Sequence, residues 1–102
     1  MIELKSREQM ERAIERARQS RLVVRRTSTT RMYRVENLDN GQVYTCNFFV
    51  RRSDRARFGH CTCKAGQNNK ECKHLACAAA LNVYDATVRR AAAMVAQMPK
   101  AA

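Results

Sequence analysis

Between residues 60 and 74 the chain gathers four side chains able to hold a metal: Cys61, Cys63, Cys72 and His74. They stand as two pairs, Cys61-x-Cys63 and Cys72-x-His74, separated by the eight residues Lys64 to Glu71. One intervening residue lets a turn present both donors of a pair to the same point. Gly66, Asn68 and Asn69 make the loop between the pairs pliant enough to bring the second pair round. Three thiolates and one imidazole form a normal closed tetrahedral shell for zinc. A shell with four protein ligands keeps no open position for a reactive water, and the chain has no His-Glu-x-x-His and no deaminase-like His-x-Glu. Glu71 is the one acid nearby, read as a surface residue or a neighbour of the metal shell. The expectation is one structural Zn2+, no catalytic residue, no small-molecule substrate and no enzyme activity.

Other uses of the same residues are weighed against this. A disulfide scaffold would draw on the same thiols, but the five cysteines are odd in number and nothing marks the chain for export. A redox role for Cys61-x-Cys63 lacks the Cys-x-x-Cys helix-start pattern. His60 is a competing donor, read as a loop residue or as a donor to a sulfur. Cys46 and Cys77 fall on apolar faces and read as small core residues. Zinc binding in comparable small modules contributes about 10–16 kcal/mol, enough to decide folding, so a strong chelator is expected to unfold residues 40–80.

Charge is the second chemical feature. Twenty Lys and Arg face nine Asp and Glu in 102 residues, a formal net charge of +11. From Arg16 to Arg34 there are seven Arg and no acid; from Arg51 to Lys73 seven Lys or Arg face only Asp54 and Glu71. The planar fork of Arg donors suits phosphate, and basic patches concentrate polyanions. Arg51, Arg52, Arg55, Arg57, Lys64, Lys70 and Lys73 are the candidate phosphate contacts, expected around the metal loop. Such contacts position a protein without reading sequence. Tyr33 and Phe49 could stack on bases if exposed, but both read as core. Nucleic acid is the expected partner, DNA favoured over RNA. The competing reading is a protein-interaction adaptor without nucleic-acid binding, and a third attributes the charge to solubility or coding bias.

These residues need elements to hold them. Residues 6–19 read as a helix with Ser6 and Gln9 at capping-box spacing and a stripe of Met10, Ile14 and Ala17. Residues 21–27, 31–37 and 43–50 read as strands, divided by Thr27-Ser28-Thr29-Thr30 and by the turn signal Asp39-Asn40-Gly41. In the last of them Tyr44, Cys46, Phe48 and Val50 share one face, and Val43, Thr45, Asn47 and Phe49 share the other. Arg51 to Arg57 reads as a polar basic loop. Residues 72–97, Ala-rich and free of Gly and Pro, read as a long helix with a stripe of Cys77, Leu81, Tyr84, Val88, Ala91 and Val95. That stripe is a candidate surface for another copy, another chain or the N-terminal helix.

The metal pattern together with Leu75, the Ala-rich helix and the preceding strand pair resembles the SWIM-type zinc finger family, over about residues 31–85. The resemblance implies a ββα module around one structural zinc, with Cys61, Cys63, Cys72 and His74 as ligands, and a role in binding DNA or proteins. Residues 1–30 fall outside it, as do 86–102.

The sequence therefore predicts a single α+β domain over 1–102: an N-terminal helix and first strand over 1–30, a zinc finger over 31–85, and a helix extension and tail over 86–102. Its order is N-terminal helix, three-stranded antiparallel sheet, zinc loop and long C-terminal helix. No apolar run approaches the roughly 18 residues of a membrane span. The N-terminus carries Glu3, Glu8, Glu11 and Glu15 and no apolar h-region, so an intracellular, cytoplasmic protein is expected.

Overall fold

The computed structural model describes residues 1–99. A short strand β1 (Ile2–Glu3) precedes helix α1 (Arg7–Arg18). Strands β2 (Leu22–Arg26), β3 (Met32–Asn37), β4 (Val43–Val50) and β5 (Arg57–Cys61) follow. A single helical turn α2 (Lys64–Gln67) and helix α3 (Lys73–Ala96) complete the chain.

The sheet is antiparallel and five-stranded, in the order β1-β5-β4-β3-β2. This corrects the three strands expected from sequence. β2, β3 and β4 lie where their β-branched and aromatic runs predict. β5 begins inside the segment read as basic loop, and Arg51–Ala56 is instead a tight turn closed by Arg51 N–H donating to Ala56 O at 2.8 Å. The signal for β5 is hidden because its inward positions are Gly59 and Cys61. Gly59 is small for a reason: a Cβ there would meet Leu75 Cδ1 at 3.0 Å. β1 is two residues long, too short for any period, and pairs through Ile2↔Gly59 and Glu3↔Phe58.

Both long helices pack on one face of this sheet. Tyr33, Val35, Cys46, Phe48 and Cys61 point inward and meet Leu75, Ala76 and Ala78 of α3 and Met10 and Ala13 of α1. Ser6 caps α1, accepting from Gln9 N–H at 3.3 Å. The Gln9 side chain then reaches back, accepting from Lys5 N–H at 2.8 Å and donating to Glu3 O at 2.8 Å. The capping signal in the sequence is therefore real, and it also fastens α1 to β1.

The stripe expected on α3 is only partly a packing face. The buried residues of α3 are His74, Leu75, Ala76 and Ala78, all in its first two turns. Cys77 and Leu81 are half-buried, while Tyr84, Val88, Ala91 and Val95 are exposed. A 24-residue helix is about 36 Å long, and its second half runs past the sheet. Phe49, expected in the core with Tyr33, is 44% exposed, whereas Tyr33 is buried. No helix is long and apolar enough to cross a membrane.

Candidate metal centre

Each ligand pair sits where a strand or loop becomes a helix. Cys61 ends β5 and faces Cys46 across the ladder. Thr62 extends that ladder, its N–H donating to Thr45 O at 3.1 Å and its Oγ1 accepting from Thr45 N–H at 3.0 Å. Cys63 is then the N-cap of α2, and its Sγ accepts from Gly66 N–H at 3.4 Å. Cys72 is the N-cap of α3, and its Sγ accepts from Leu75 N–H at 3.3 Å. His74 lies in the first turn of α3. The same local device, a sulfur capping a helix start, thus serves both pairs.

The ligand atoms of Cys61, Cys63, Cys72 and His74 all lie within 4.8 Å of one another, and all four residues are buried. A tetrahedron with zinc–sulfur bonds of ~2.3 Å has sulfur–sulfur edges of about 3.8 Å, so closing this set on an ion takes movements of about an ångström. Neither ring nitrogen of His74 has a hydrogen-bond partner, although both are buried. A buried imidazole without a partner is costly, and an ion among the three sulfurs would supply one. The residues present therefore fit a single metal ion.

Without a metal, the crowded thiols favour their protonated form. The Cys72 thiol is pushed up to about 12, first by the neighbouring Cys61 side chain and then by burial. Cys61 is also held above the ordinary thiol range, first by the Cys46 thiol opposite it and then by burial, against the lowering effect of Cys72. A cation binding here must displace the Cys61 and Cys72 protons, so metal uptake releases protons.

Several neighbours support the ligands. The Tyr44 ring lies 4.1 Å from the His74 ring, centroid to centroid, tilted by 30°. Gln9 Nε2 donates to Glu71 Oε1 at 3.1 Å, which ties α1 to the residue preceding Cys72. Gly66 passes so close to Cys61 that an added Cβ would lie 2.0 Å from Cys61 O. In the sequence Tyr44 is a strand residue and Gln9 a cap, and nothing in their local patterns signals this second contact. His60 points to the opposite face of β5 and stays outside the cluster. Cys46 is fully buried beside the cluster, as its alternation with Tyr44 and Phe48 implies.

The candidate phosphate contacts divide into two groups. Lys64 and Lys70 are exposed on the metal loop, and Lys73 is half-buried, its Nζ donating to Ser20 Oγ at 3.2 Å. Arg51, Arg52 and Arg55 lie in the β4–β5 turn and Arg57 begins β5, four residues before Cys61, which separates the turn from the metal loop by about 13 Å. Arg51 pairs with Asp54 at 2.6 Å, and this contact holds the Asp54 carboxyl down at about 2. No protein-family model, curated protein or solved structure matches this chain.

Proposed function

We propose that Cys61, Cys63, Cys72 and His74 hold one structural zinc ion in a SWIM-type module that binds nucleic acid through its basic surface, DNA foremost. The observation that carries the metal reading is the buried set of three sulfurs and an imidazole with no other partner for its nitrogens. Bound zinc would supply folding energy rather than reactivity, because four protein ligands fill its shell. The residues themselves do the positioning. β5 carries Cys61, α2 and α3 are capped by Cys63 and Cys72, and Tyr44 fixes the His74 ring.

The nucleic-acid reading is supported by the net charge of +11 and by the dominance of Arg. It is tested by fluorescence anisotropy of protein carrying one zinc per chain against duplex DNA, single-stranded DNA and RNA, from roughly 50 to 300 mM salt. A steep fall of affinity with salt is expected. Binding that is absent at low salt overturns it. The metal assignment is checked on the same preparations. Cys72→Ala is expected to lose the zinc and Cys46→Ala to keep it.

A second reading, docking of another protein chain, is favoured by one feature. Val83, Tyr84, Val88, Met94, Val95 and Met98 expose apolar surface on the second half of α3 and beside it. Association through that surface would persist as salt rises.

A further inference from the structure

α1 and α3 cover one face of the sheet, and among the described residues no element lies over the other. Alternation decides what that open face carries. Phe49 of β4 and Phe58 of β5 are direct cross-strand neighbours on it. One row along, Asn47 faces His60. A further row along, Arg34 of β3 stands beside Thr45 on one side and Arg25 of β2 on the other. Phe49 is 44% exposed, and the Arg51 guanidinium lies over the Phe58 ring, 5.3 Å from its centroid. The rows repeat every two residues, about 6.8 Å, so aromatic rings, hydrogen-bonding side chains and cations follow one another along about 14 Å of sheet.

Two features call for an anion on this face. Arg25 and Arg34 are both exposed and directly opposite each other, an arrangement that destabilises a ladder. Neither has a carboxylate within ion-pairing distance among the described residues, unlike Arg21, Arg26 and Arg51. The acids of the face are marginal. Glu3 is in β1 and pairs with Lys5 at 3.9 Å, and Glu36 lies in the row beyond Arg34. The exposed Phe49 ring can stack only on a base that is not already stacked in a duplex.

We infer that the open sheet face is a binding platform for single-stranded nucleic acid, with Phe49 stacking on a base, Asn47 and His60 meeting base edges, and Arg25 and Arg34 contacting phosphates. The inference rests on the nucleic-acid reading above and adds strandedness, a surface and roles. It moves the contact from the metal loop to the face behind it, and leaves the metal a purely architectural part.

The test uses the zinc-loaded full chain and labelled mixed-sequence probes of roughly 12 nucleotides: single-stranded DNA, the same RNA, and the DNA duplex. Single strands are expected to bind more tightly than the duplex, with DNA and RNA compared side by side. Phe49→Ala is expected to weaken single-strand binding by about tenfold or more while zinc content and melting temperature hold, since Phe49 lies outside the core. Arg25→Gln with Arg34→Gln is expected to weaken it and to flatten the salt dependence, which keeps the test decisive if the Phe49→Ala variant misfolds. The chain has no Trp, so Phe49→Trp adds a single indole whose emission is expected to fall when a base stacks on it.

Wild-type binding that neither Phe49→Ala nor the Arg25 and Arg34 pair changes would overturn the platform and leave nucleic-acid binding standing elsewhere. Tighter binding to the duplex, with the indole emission of the Phe49→Trp variant unmoved, would do the same. Failure of the wild type to bind any of the three probes would remove the nucleic-acid reading and the platform with it, and would leave the face to a protein partner.

Discussion

Gly66 shows how little room the metal loop has. A Cβ there would fall 2.0 Å from Cys61 O and 2.7 Å from Cys61 C, both backbone atoms that cannot step aside. Gly66→Ala is therefore expected to weaken metal binding and to destabilise the fold by ~3 kcal/mol or more, read by zinc competition and thermal unfolding. Gly41 is the contrasting case. It has φ +72° and open space around it, so Gly41→Ala strains only the backbone and is expected to cost about 1 kcal/mol. At this scale the sequence is most legible for the clustering of Cys61, Cys63, Cys72 and His74, because donor type and spacing are local properties. Gly66 is visible there only as a pliant loop residue. That it is needed for close approach to Cys61, and that Tyr44 and Gln9 brace the site, depends on neighbours that only folding brings together.

Among the elements, α3 is fastened to the sheet by a buried phenol. Tyr33 OH donates to Asp85 Oδ2 at 2.8 Å, and Arg26 donates to both oxygens of the same carboxylate, with bonds of 2.9 to 3.1 Å. Burial first, then the hydrogen bond to Asp85, pushes the Tyr33 hydroxyl from 10.0 up to about 12. The fold thus favours neutral Tyr33. Its contribution is complete below pH 10 and is lost as pH rises from 10 to about 12. Asp85 has the opposite sign. Its carboxyl is held below 3.8, chiefly by the Arg26 hydrogen bond, so its contribution is present above that value and fades on acidification. Tyr33→Phe is expected to flatten the alkaline decline in melting temperature while Asp85→Asn flattens the acid one. Unchanged alkaline melting in Tyr33→Phe would count against the lock. α1 and α3 are legible in the sequence to within about a residue because caps and Ala-rich periodicity are strong local signals. β5 is not, because its inward positions hold Gly59 and Cys61, so apolar alternation is absent from the face that carries it elsewhere.

The whole molecule is elongated, 56 × 31 × 24 Å with a radius of gyration of 15.4 Å, against about 13 Å for a compact chain of this length. The difference comes from the second half of α3, which lies beyond the sheet with every described residue from Thr87 onward exposed. Deleting residues 91–102 is expected to leave zinc content unchanged and melting within about 0.5 kcal/mol of the full chain, while small-angle scattering reports a shorter particle. A marked loss of stability would mean that another copy covers this helix in solution. The pattern of apolar residues on α3 is legible from sequence, but not which part of it the sheet is long enough to cover. The register Ile2↔Gly59 has a consequence for how the protein is made. The β2–β3–β4 meander joins neighbours in the chain and can assemble as it leaves the ribosome. β1 must wait for β5, and α1 for the first turns of α3, although both precede the meander in the chain. Until then Met10, Ala13 and the inner face of the meander stand bare, and the arrival of α3, with Cys72 and His74 at its start, both brings the four donors together and ends that exposure.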